Sequence, residues 1–193
     1  MKSFLVANPK GGVGKSTLAT NLAGYFAKSG RRVMLGDIDR QQSSREWLRI
    51  QPLAAPKINT WDLDTDKPAR PPKGTTHVVL DTPAGLHGKR LHQVLGMVDR
   101  VIVPLQPSLF DILATRDFLA ALRGAKEMRN GIEIGIIGMR VDPRTRAAGE
   151  LHRFLDHETL PVIGYLRDTQ IYVQAAAHGL TLFDLPPSRA EKD

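Results

Sequence analysis

The sequence predicts an α/β architecture: a doubly wound, mostly parallel sheet with helices on both faces. Three observations carry this. Apolar runs of strand length alternate with helix-length stretches along the whole chain. The first run, Phe4-Leu5-Val6-Ala7, passes through a glycine-rich turn into Leu18-Ala19-Thr20-Asn21-Leu22-Ala23-Gly24-Tyr25-Phe26, which reads as a helix. Two later runs end in aspartate, at Asp37-Ile38-Asp39 and at Val78-Val79-Leu80-Asp81, on the side where open parallel sheets hold their ligands.

The turn after the first strand is Asn8-Pro9-Lys10-Gly11-Gly12-Val13-Gly14-Lys15-Ser16-Thr17. Strand, glycine turn and helix in that order make a phosphate site, with the anion at the helix start. Gly11, Gly12 and Gly14 let the main chain curl so that several N–H groups point at one anion. Lys15 would set an ammonium against terminal phosphates, and Ser16 would offer a hydroxyl to Mg²⁺. Val13 and Thr17 complete the loop. A glycine turn that binds nothing is the alternative, and the Gly-Lys-Ser ending argues against it.

Gly30 stops the first helix, and Arg31-Arg32-Val33-Met34-Leu35-Gly36 reads as a second strand. Asp37 and Asp39, two apart at its end, are expected on one face. Residues 45–49 read as a helix, 58–61 as a short strand and 67–74 as a proline-rich surface loop. Further on, helix is expected from Lys89 to Met97, strand over 100–104, and a long helix from near Leu109 with Phe118, Leu119, Leu122 and Ala125 on its inner face. Arg116 and Arg123 fall off that face. A buried strand over 132–138 leads to a helix after Pro143, a short strand over 160–163 and a last helix ending near Gly179. Arg144, Arg146, Arg153, His152 and Arg167 form the densest basic region of the C-terminal half.

At 193 residues the chain suits one domain, 1–193, with a substantial core. No apolar run nears the roughly 20 residues that span a bilayer. The first strand leaves no room for a signal peptide, so a cytoplasmic protein is expected. With no cysteine there are no disulfides, thiolate metal sites or iron–sulfur clusters, and the six histidines show no metal-ligand spacing. Lys and Arg number 27 against 20 Asp and Glu, for a net charge of +7. That balance suits a polyanion such as DNA or anionic lipid, and equally a plain basic surface. The tail from Phe183 holds Pro186 and Pro187 and cannot form a useful basic amphipathic helix, so membrane binding is not expected.

The stretch Lys10-Gly11-Gly12-Val13-Gly14-Lys15-Ser16 resembles the deviant Walker A motif of the ParA/MinD family. Proline stands at position 9, where the common phosphate loop has its first glycine, and Lys10 stands at the family's signature position. The resemblance implies that Lys10 crosses an ATP-dependent homodimer interface to the partner's phosphates, as an arginine finger does. It implies that Asp39 orients the attacking water, that Asp37 lies near the magnesium, and that Asp81 is a Walker B aspartate in the metal shell. Thr82-Pro83-Ala84-Gly85 is similar to the family turn that senses the γ-phosphate. The run from Val101 through Pro104 and Pro107 to Ser108 is similar as well. Arg140 and Asp142, after Met139 where the family often has asparagine, and Arg167 and Asp168 are implied contacts on the nucleotide side. Arg40 replaces the proline that often follows the second aspartate.

The resemblance covers nearly the whole chain and looks like the small type, without an N-terminal DNA-recognition extension. The leading expectation is a ParA-type ATPase. With ATP and Mg²⁺ it dimerises and binds DNA without sequence preference, associating with the nucleoid. A cargo-bound ParB-like or adaptor protein stimulates hydrolysis, and the cargo is a plasmid, a chromosome region or a protein assembly. The alternatives are a MinD-like membrane regulator, which the tail disfavours, and a small-molecule ligase of the dethiobiotin synthetase type. The missing cysteines exclude the nitrogenase iron-protein branch.

Overall fold

A computed structural model describes residues 1–39, 41–61 and 70–186. Arg40, residues 67–69 of the proline-rich loop and residues 187–193 of the tail, on which expectations above fall, lie outside the described residues. The strands are β1 (Lys2–Val6), β2 (Val33–Asp37), β3 (Ile58–Asn59), β4 (His77–Asp81), β5 (Arg100–Leu105), β6 (Glu133–Gly138) and β7 (Val162–Tyr165). They form one sheet in the order β3-β2-β4-β1-β5-β6-β7, and every described pairing is parallel. The helices are α1 (Lys15–Lys28), α2 (Ser43–Arg49), α3 (Gly88–Leu95), α4 (Leu109–Gly124), α5 (Arg146–Asp156) and α6 (Ile171–Ala177).

Side chains alternate across the sheet and feed two cores. Leu5 packs into one with Leu80, Val101, Leu119 and Leu151, beneath α3, α4 and α5. Val6, its neighbour, packs into the other with Ala19, Ala23, Val33 and Val79, beneath α1. Helices therefore cover both faces, as expected. Each buried aliphatic side chain contributes about 1.5–3 kcal/mol, which is why β1, β2 and β4 hold a fixed register at the centre.

The structure departs from the sequence reading in places that matter. Helix α1 begins at Lys15 itself, directly on Gly14 at φ 95°, so the loop lysine is the first helical residue. Strand β2 ends at Asp37, and Asp39 lies beyond it in a turn. The alternation argument that put both carboxylates on one face therefore does not reach Asp39. The start of the tail is also more ordered than its composition suggests. Leu182–Asp184 forms a 3₁₀ turn with a capping box between Thr181 and Asp184, and Asn21 of α1 accepts the Leu182 N–H at 2.9 Å. Gly24 is required there, because a Cβ would lie 2.5 Å from the Thr181 side chain. Arg116 pairs with Asp117 and Arg123 with Glu158, both on the solvated side of α4.

Candidate functional site

The phosphate loop joins β1 to α1 at the C-terminal edge of the sheet. Asn8, fully buried, sets its entry. Its Nδ2 donates to the Pro104 carbonyl at 2.8 Å and to Thr115 Oγ1 at 2.9 Å, and its Oδ1 accepts the Lys10 N–H at 2.9 Å. Gln106 Nε2 closes the far side on the Gly12 carbonyl at 2.9 Å. Gly12 and Gly14 both stand at positive φ, and a Cβ on Gly14 would meet the Met139 methyl at 2.7 Å. Helix α1 has no side-chain cap and no acidic residue in its first turn, so its first N–H groups and its dipole face the loop unneutralised. That arrangement fits a phosphate.

Lys15 is buried, and its Nζ donates to the Lys10 carbonyl at 2.7 Å. Burial lowers its pKa, while Asp81 and Asp39 hold it up. Lys10 is half-buried, and its ammonium has no carboxylate partner among the described residues. Two lysines of opposite character thus share one loop.

Register places Asp37 and Asp81 side by side at the tips of β2 and β4. Burial pushes the Asp81 carboxyl up to about 6, opposed by the Ser16 hydrogen bond and aided by the Asp37 charge. A hydroxyl and a costly buried carboxylate in contact form a hard-oxygen donor pair that fits Mg²⁺. Asp37 is engaged otherwise: both its oxygens accept hydrogen bonds, from the start of α2 and from the Asp39 N–H. The Asp39 Oδ1 accepts the Gln41 N–H, at 3.0 Å, from the turn that follows.

On the other side of the loop, a cleft of about 630 Å³ runs between Gly14, Thr17, Met139, Arg140, Arg167 and Asp168. Arg140 holds a left-handed φ of 53°, uncommon for a residue with a Cβ, and its Nε lies 3.9 Å from Asp168 Oδ1. Asp142 does not line this cleft. It faces the adjoining depression, where Arg144 takes both its oxygens at 2.9 and 2.8 Å and holds its carboxyl down at about 2. Its carboxylate is held by the neighbouring arginine, in a depression that Arg140, Arg167 and Asp168 also line. Tyr172 and Val173 of α6 line the cleft instead. The sequence reading gives no role to Val173, nor to Asn8, Thr115 and Gln106, whose partners lie up to 107 residues away. Among the described residues no metal-ligand cluster of histidines and carboxylates occurs. None of their helices is long and apolar enough to cross a membrane.

Fold and site together define a P-loop nucleotide-binding protein of the doubly wound class. The family model of the CobQ/CobB/MinD/ParA nucleotide-binding domain matches residues 4–182, and the chain belongs to that family of ParA/MinD-type ATPases. The maintenance of carboxysome distribution protein A of Gloeobacter kilaueensis is 31% identical over 184 residues, covering 92% of this chain and 82% of that protein. The chromosome-partitioning ATPase Soj of Thermus thermophilus is 28% identical, over 83% of this chain and 72% of its own. In fold, the ATP complex of a Cyanothece McdA variant superposes with a TM-score of 0.78 at 16% identity, covering 100% of this chain and 93% of that one.

Proposed function

We propose that the chain is a single ParA-like ATPase domain that dimerises face to face on ATP, binds DNA without sequence preference and positions a cargo through stimulated hydrolysis. The carrying observation is the pair of lysines in one loop. Lys15 is buried and tied to the Lys10 carbonyl, which suits it to its own subunit's phosphates. Lys10 has no carboxylate partner for its ammonium among the described residues and stands at the front of the loop, where it would reach the phosphates of a twin.

In this reading Gly11, Gly12, Val13, Gly14, Ser16 and Thr17 wrap the phosphates with main-chain N–H groups. Ser16 and Asp81 hold Mg²⁺, which when bound neutralises phosphate charge. Asp39 receives the proton side of the attacking water, while Asp37 stands behind the metal through its neighbours. Lys10 and Lys15 offset the charge that builds on the transferred group. Arg140, Asp142, Arg167 and Asp168 stand on the side of the base.

The DNA reading is supported by a row of cations at the opposite edge of the sheet, where the strands begin. In sheet order these are Lys57 before β3, Arg31 and Arg32 before β2, Lys73 before β4 and Lys2 in β1, all exposed. None has a carboxylate partner among the described residues. Adjacent strands lie about 4.8 Å apart, so the row is long enough to meet a run of phosphates. A twin on the nucleotide face leaves this edge open. In the C-terminal region expected to be most basic, by contrast, Arg144 and Arg153 each hold a carboxylate. Relatives named for carboxysome distribution and chromosome partitioning support a large assembly as cargo; an adaptor on that cargo is the proposed stimulating partner.

Light scattering with ATP, with ADP and without nucleotide tests the proposal. A dimer with ATP alone is expected; a monomer under all three conditions contradicts it.

A further inference from the structure

We infer that Arg90 is a positioning residue for Asp39, holding the peptide from which that carboxylate leaves the backbone. The inference rests on the ATPase reading above. Arg90 lies in the first turn of α3, and its Nη2 donates to the Ile38 carbonyl at 2.8 Å across 52 residues of sequence. That carbonyl belongs to the peptide unit joining Ile38 to Asp39. The N–H of the same unit donates to Asp37 Oδ1 at 2.9 Å. A peptide is planar, so hydrogen bonds on both its edges fix the plane and with it the exit direction of the Asp39 side chain. The preceding peptide is fixed too, since the Ile38 N–H donates to the Asp81 carbonyl at 3.0 Å.

The element that carries Arg90 touches the other half of the site as well. The turn between β4 and α3 places the Gly85 N–H on the Pro9 carbonyl at 2.8 Å, one residue before Lys10. One short stretch, residues 82–90, thus meets both the Lys10 loop and the Asp39 turn. Arg90 also keeps a buried Nε with no hydrogen-bond partner among the described residues. Leaving a buried donor unmade is unfavourable, so another contact of the same guanidinium must offset it. The charge-assisted bond to Ile38 is the contact that accounts for it.

The test compares Arg90→Ala and Arg90→Lys with the wild type in ATP affinity, turnover and amide hydrogen exchange. For Arg90→Ala, turnover should fall by about 10- to 100-fold while ATP affinity stays within about twofold, because misorientation affects the reaction and not binding. The amides of Asp39 and Gln41 should exchange faster, with those of β1 and β5 unchanged. Millimolar guanidinium should recover part of the Arg90→Ala rate and none of an Asp39→Ala rate. Arg90→Lys, which retains a donor, should fall between. Wild-type turnover in Arg90→Ala, or equal losses in affinity and turnover without guanidinium rescue, would overturn the inference. Should the wild type itself not hydrolyse ATP, the ATPase reading fails. Unchanged Asp39 exchange in Arg90→Ala would separately sink the clamp.

Discussion

Ser44 gives Asp37 Oδ2 both its backbone N–H, at 2.9 Å, and its hydroxyl, at 2.8 Å. The Arg45 N–H joins them at 3.3 Å. Helix α2 has Gln42 at its N-cap with no side-chain cap, so a strand-tip aspartate seven residues before Ser44 does the capping. The cap also ties the start of α2 to the tip of β2, where the reacting groups gather.

A stability loss independent of nucleotide follows from this cap. Asp37→Ala leaves the Ser44 N–H and hydroxyl and the Arg45 and Asp39 N–H groups without their acceptor, at a cost of about 2–3 kcal/mol. Asp37→Asn, which keeps one acceptor oxygen, should lose less. Denaturant titration without ATP or Mg²⁺ checks both. A purely metal-holding aspartate would leave that titration unchanged.

His77 should make the protein less stable in mild acid. Partial burial lowers its pKa, and the Arg31, Lys2 and N-terminal charges lower it further. The unfolded chain therefore takes up the proton first as pH falls. Stability present above the ordinary histidine pKa of about 6.5 is lost as pH drops through and below it. Unfolding measured at about pH 7.5 and about pH 5.5, on either side of that value, should show a smaller acid loss for His77→Gln than for the wild type. Equal losses would rule the effect out.

DNA binding should depend on the strand-start edge. Replacing Arg31, Arg32 and Lys2 together by Gln removes three cations that hold no carboxylate among the described residues, and should flatten the salt dependence of binding by about two to three units of slope. Replacing Arg144 and Arg153, whose charges are already matched by Asp142 and Glu150, should change it by less. Electrophoretic or fluorescence titration at several salt concentrations measures both. An unchanged slope in the first variant moves the DNA surface elsewhere.

The phosphate loop is readable from sequence because its determinants sit within one short consecutive run, where glycine and lysine spacing is itself the geometry. The strands at 78–81 and 132–138 are readable because buried parallel strands are continuous apolar runs. The capping role of Asp37 is not, since Gln42-Ser43-Ser44 carries no acidic cap and the acceptor arrives from the sheet. Asn8 with Thr115 and Arg90 with Ile38 join residues 107 and 52 apart, and only the crossover order of the strands brings them together. The pairing of Asp142 with Arg144 is local too, since the turn at Pro143 brings the arginine back onto the carboxylate.

The most direct measurement mixes two variants that are each expected to be inactive alone, Lys10→Ala and Asp39→Ala. A two-fold dimer of one with the other has a single site that combines an intact Asp39 with the twin's intact Lys10. If Lys10 acts across the interface, the equimolar mixture should regain about a quarter of the wild-type ATPase rate, since half the dimers are mixed and each has one working site. If the mixture stays as inactive as its components, Lys10 works within its own subunit, and the face-to-face account is contradicted.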